Sequence, residues 1–166
     1  MKIIDAHCDA LYKLQLSKRG KIYGVKPLQF KNSPSLDTNF NRLKQGNYMV
    51  QFFALFLEPN IPTYEKWDYL LEQIDLFHSE ILANNPEMVH IKKWEDIDKL
   101  EDDQIGAVLT LEGADPFGND LVKLRQLYRE GILSIGLTWN HANLCADGAG
   151  EPRGGGLTLL GKEVVK

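Results

Sequence analysis

Met49-Val50-Gln51-Phe52-Phe53-Ala54-Leu55-Phe56-Leu57 is apolar at every position but one. A strand that shows one face to water alternates apolar with polar residues, whereas a nearly unbroken apolar run is dry on both faces, as strands of helix-covered parallel sheets are. Residues 2–9, 106–112 and 132–139 read the same way, and each run is followed by a helix or by a long connection that ends in one. This alternation of strand and helix is the layout of parallel β/α units, which sets the fold class as α/β. Polar residues gather at the carboxyl ends of the runs, where the active sites of α/β barrels are built.

The clearest helix spans residues 64–82, with Trp67, Leu70, Leu71, Ile74, Phe77 and Ile81 at helical spacing, Thr63 as its cap and Asn84-Asn85-Pro86 as its stop. A second is expected over 120–130, with Leu121, Leu124, Leu127 and Tyr128 inward, Asn119 capping it and Gly131 ending it. A shorter one over 37–45 turns Leu43 inward and stops at Gly46. His78, late in the first helix, and His90, in a short extended stretch before Trp94, lie away from strand carboxyl ends and read as structural or solvent-facing. The segment from Gly156 to Lys162 has the spacing of a phosphate-binding loop but not its chemistry. Glu163 stands where a hydroxyl would be needed and no strand immediately precedes it, so a loop leading to a helix start near Thr158 is expected.

The chain has 166 residues, 43% of them hydrophobic, enough for one domain with its own core. Its longest apolar run falls far short of the roughly 20 residues of a bilayer span. Asp5 interrupts the start before a leader's apolar region can form, and a cytoplasmic location is expected. A net charge of −4 argues against a general nucleic-acid binder. The local basic stretch Lys13, Lys18, Arg19, Lys21, Lys26 and Lys31 lacks interleaved aromatic platforms and reads as a solvated loop. Cys8 and Cys145 are too few for a disulfide framework or a thiolate zinc site, and Cys8 is expected to point into the core.

His7 and Asp9 close the first run, in Lys2-Ile3-Ile4-Asp5-Ala6-His7-Cys8-Asp9. Alternate side chains of an extended chain share a side, so an imidazole and a carboxylate at this spacing can converge on one ion. Mixed nitrogen and oxygen donors suit zinc better than calcium or magnesium. Glu112 ends the third run, in Val108-Leu109-Thr110-Leu111-Glu112-Gly113, and joins them on one rim if the strands are parallel neighbours.

These segments, with Asp37-Thr38-Asn39, Gln51-Phe52-Phe53, Leu137-Thr138, Ala146-Asp147 and Gly156-Leu157-Thr158, resemble the membrane (renal) dipeptidase family over essentially the whole chain. Asp9, where other amidohydrolase-type barrels carry a second histidine, favours this family. The resemblance implies an amidohydrolase-like (β/α)8 TIM-type barrel, a hydrolase with two Zn2+ per complete site, and dipeptide hydrolysis by a metal-bridging hydroxide. It assigns His7 and Asp9 to one zinc and makes Glu112 the bridge to the second. Substrate contacts are expected from Trp139, Asn140 and His141, where relatives often carry a histidine directly after the threonine equivalent to Thr138.

About four strand–helix units are countable, so residues 1–166 are expected to form a partial barrel domain, its amino-terminal half. The resemblance places the second zinc's histidines, an arginine clamp and an acid/base aspartate on later strands. The expected partner is a dipeptide substrate, with neither nucleic acid nor membrane, and the isolated fragment is expected to be inactive and to self-associate through its open half barrel. The alternatives are another metal-dependent amide, ester or lactam hydrolase, or a non-catalytic interaction domain.

Overall fold

The computed structural model describes residues 1–20 and 27–166, so Lys21 and Lys26 of the basic stretch lie outside the described residues. Five parallel strands form one sheet: β1 (Ile3–Asp5), β2 (Tyr48–Phe56), β3 (Met88–His90), β4 (Ile105–Glu112) and β5 (Ile132–Gly136). β2 lies between β1 and β4. The other edge of β4 is shared, with β3 along residues 105–107 and β5 along residues 109–112. β1, β2, β4 and β5 are the four expected strands, and the arrangement is consistent with half of a TIM-type barrel.

β3 is the strand that the sequence pattern does not show. Three residues cannot display a period, and the extended stretch pairs with the first residues of β4. His90 therefore does end a strand, contrary to expectation, but at a level well below the carboxyl rim.

β2 is dry on both faces, as its composition requires. Phe53 and Leu55 pack with Leu109 and Leu111 beneath the helices, while Val50 and Val108 pack with Ile91 on the opposite face. Phe52 on that second face stacks on Trp94, ring centres 6.2 Å apart. Alternation along β4 puts Glu112 in register with Val108 and Thr110, at the top of that second face.

The helices correct several expectations. The stretch carrying Lys13 and Lys18 is α1 (Ala10–Lys18), not a loop, and it buries Ala10, Leu11, Leu14, Gln15 and Ser17. Two of those five are polar, which is why no apolar stripe announces it. α2 (Phe40–Gln45) starts at the Asn39 cap, whose Oδ1 accepts from Arg42 N at 3.0 Å, and the left-handed residue after it is Asn47, not Gly46.

α3 (Lys66–Leu76) begins at Glu65 without a side-chain cap, so Thr63 does not serve, and continues as a π-helical turn, Phe77–Leu82. Leu71 faces outward. α4 (Leu121–Arg129) is capped by Asp120, which accepts from Val122 N at 2.8 Å, rather than by Asn119. Tyr128 is exposed, and Leu127 carries the burial of that helix. α5 (Leu159–Val165) follows the Thr158 cap as expected. Among the described residues no helix is long and apolar enough to cross a membrane.

Candidate metal centre

β1 ends at Asp5, two residues before His7, so strand alternation does not bring His7 and Asp9 together. The chain leaves the sheet as a loop still tied to β2 by a bond from Ala54 N to Cys8 O at 3.0 Å. Asp9 sits at the start of α1 with non-extended dihedrals of −96° and 25°. The loop bends the two side chains over the strand end instead. Cys8 points the other way, as expected, and its burial pushes the thiol up to about 12.

Glu112 reaches the same place from β4. His7 Nε2 lies 3.4 Å from Asp9 Oδ1 and 3.7 Å from Glu112 Oε2. One donor atom from each of the three residues falls within 4.8 Å of the others. Burial pushes the Glu112 carboxyl up, His7 pulls it down, and the Asp9 charge raises it again. Two carboxylates held this close repel each other, and a dication among them would remove that cost. The donor set of one imidazole nitrogen and two carboxylates fits zinc.

Aromatic rings wall the centre on one side. Phe56, the last residue of β2, meets Tyr12 edge-on at 5.3 Å and Trp139 at 5.1 Å. With the three candidate ligands and Lys13 they line a cavity of about 250 Å³. A second cavity of about 200 Å³ lies against Glu112 and Trp139 and is lined also by Lys66, Asp115 and His141. Trp139 and His141 are thus beside the centre. Asn140 lines neither cavity; its carbonyl accepts from Gly150 N at 2.7 Å and holds the following loop.

Tyr12, Phe56, Lys66 and Asp115 escape a sequence reading. Tyr12 had a signal, since it follows Asp9 by three residues on a helix. Lys66 and Asp115 had none, being 49 residues apart.

Comparison with known proteins agrees with this architecture. The model of the membrane dipeptidase family (peptidase family M19) matches residues 1–166. An uncharacterized dipeptidase of Schizosaccharomyces pombe is 30% identical over 179 residues, which cover 99% of this chain and 43% of that protein. Dipeptidase 3 of Rattus norvegicus is 24% identical over 99% of this chain and 34% of its own length. Among solved structures, the metallopeptidase dipeptidase AC superposes with a TM-score of 0.83 at 18% identity, covering 99% of this chain and 54% of that one. A Rhodobacter sphaeroides metallopeptidase bound to a phosphinate mimic of the dipeptide L-Ala-D-Ala gives 0.82 at 18%, with 99% and 55% covered. The chain spans about half the length of the proteins it matches, or less. A family match over every residue, on a parallel half-barrel sheet, places the chain in the membrane dipeptidase family.

Proposed function

We propose that this chain is the amino-terminal half of a zinc-dependent dipeptidase, in which His7 and Asp9 hold one ion and Glu112 bridges toward a second. The observation that carries this reading is the convergence of one imidazole nitrogen and two carboxylates within 4.8 Å, at the carboxyl rim of a parallel sheet. The Rhodobacter sphaeroides relative supports the substrate class, because its phosphinate ligand mimics a dipeptide. Bound zinc would supply Lewis acidity toward the peptide carbonyl and would acidify a water.

The chain's own residues do the positioning. Glu112 is fixed by its place in a strand paired on both edges, and Asp9 by the first turn of α1. Tyr12, Phe56 and Trp139 form an aromatic wall beside the three ligands, which would shield one side of a bound dipeptide from water. Trp139 and His141 line the cavity beside Glu112, which supports a role in touching substrate, while Asn140 holds the following loop through its carbonyl.

Among the described residues the donor set serves one ion and offers only Glu112 to a second. The chain alone is therefore expected to bind zinc but to hydrolyse dipeptides negligibly, with turnover appearing when a complementary half is supplied. Zinc analysis of the wild type, His7→Ala and Glu112→Ala tests the site, and equal zinc content in all three would remove it. Appreciable hydrolysis by the isolated chain would overturn the half-site reading. The same reading includes self-association, because among the described residues β1 pairs only with β2, and β5 only with β4. Sedimentation showing a monomer at all concentrations would exclude it.

A further inference from the structure

Lys66 is a buried cation in an unfavourable place. Its side chain is only 8% exposed, and it occupies the first position of α3, where the helix dipole disfavours positive charge. Its Nζ donates to Asp115 Oδ1 at 2.9 Å. An ammonium has three donors, and Asp115 is its acceptor among the described residues, which leaves two N–H groups for the cavity that Lys66 lines.

The cavity is lined by Lys66 and His141 and by the carboxylates of Glu112 and Asp115. Asp115 is committed on both oxygens, Oδ1 to Lys66 and Oδ2 to Asn143 Nδ2 at 3.1 Å. Glu112 is committed to metal on the reading above. What remains is the Lys66 ammonium and the His141 imidazole, in a space of about 200 Å³ that suits one amino-acid side chain. A carboxylate would take charge-assisted bonds from the two free ammonium N–H groups, which a leucyl side chain cannot.

We propose that this cavity is a side-chain subsite and that Lys66 is its specificity-determining residue, selecting a dipeptide with an acidic side chain. This rests on the dipeptidase reading. The test uses the zinc-loaded chain and phosphinate pseudodipeptides carrying a glutamyl or a leucyl side chain, placed in turn at each of the two positions. The glutamyl analogue is expected to bind about tenfold tighter than the leucyl one at one position. Lys66→Met abolishes that preference and leaves leucyl affinity unchanged, while Asp115→Asn, which keeps the ammonium, retains it. Should Lys66→Met not fold, Lys66→Gln keeps a donor for Asp115 and is expected to show the same loss. Equal affinities in the wild type, a preference that survives loss of the charge, or a preference lost equally in Asp115→Asn would overturn the subsite and leave the dipeptidase reading standing. A chain that takes up no zinc, or binds neither analogue, would overturn that reading and the subsite with it.

Discussion

His7 follows the end of β1 and His90 ends β3, so both histidines stand at strand ends of one sheet, yet they occupy opposite chemical worlds. His7 is half-exposed with carboxylate oxygens at 3.4 and 3.7 Å. His90 packs edge-on against Phe77, ring centres 4.9 Å apart, and against His78 at 5.7 Å, and neither ring nitrogen makes a full hydrogen bond with the described residues. The difference is height. His90 pairs with Ala107, whereas Glu112 lies at the far end of the same strand, about 16 Å further along at strand rise. A strand end becomes a site only where several strands finish together and their polar residues meet.

The sharpest way to break this contrast is zinc affinity, measured by competition with a chromophoric chelator. His7→Ala is expected to weaken binding by about 100-fold or more, because even partners that only orient a ligand are worth 10- to 100-fold. His90→Ala should leave zinc affinity unchanged. A loss in both variants would show that the two histidines are not separate, and a loss in neither would empty the rim of its metal.

Much of this contrast was legible in residue order alone. The apolar runs of β2 and β4 carry their burial in their composition, and Glu112 announces itself as an acid at the end of such a run. α3 is readable because Leu70, Ile74, Phe77 and Ile81 keep their spacing through the π turn. What the pattern hides has physical causes. β3 is shorter than any period, and α1 buries Gln15 and Ser17 on the face where apolar residues would mark a helix. Gln15 finds its partners far along the chain, donating to Tyr69 O at 2.8 Å and accepting from Gln73 Nε2 at 2.8 Å. The Lys66–Asp115 pair and the Phe56–Trp139 contact likewise exist only after the sheet has brought distant segments together. Pairings of this kind decide the shape of the site, and no local signal encodes them.

The half-buried histidine also depends on a glycine. Gly131 links α4 to β5 at φ +91°, and a Cβ added there would lie 2.8 Å from His90 Nε2 and 2.9 Å from its Cε1. Gly131→Ala is therefore expected to cost roughly 2–3 kcal/mol, combining left-handed strain with a clash against a packed ring. Urea unfolding measures it. Adding His90→Ala to Gly131→Ala removes the clash but not the strain, so the glycine substitution should cost less in that background. If the cost is the same in both backgrounds, the two residues are not in contact and the packing contrast with His7 fails.

The smallest effect concerns the protonation of His90. Burial pulls the His90 imidazole down to about 4; Lys92 and His78 push in the same direction, and the Gly131 backbone and Asp96 only partly offset them. An unfolded histidine binds its proton near pH 6.5, so as pH falls below that value the unfolded chain takes up the proton first. The stability held by a neutral His90 is thus complete above about pH 6.5 and is lost as pH falls toward about 4. Because the ring is only partly shielded from solvent, the loss is about 1–2 kcal/mol rather than the full linkage value. His90→Phe keeps an aromatic ring against Phe77 and removes the titrating group. Compared by urea unfolding with a chelator present, the wild type should lose more stability than His90→Phe between about pH 7 and about pH 4.5, since the remainder of the chain is common to both proteins. Parallel pH profiles would mean that His90 is solvated like His7, and that height on the sheet is not what separates the two.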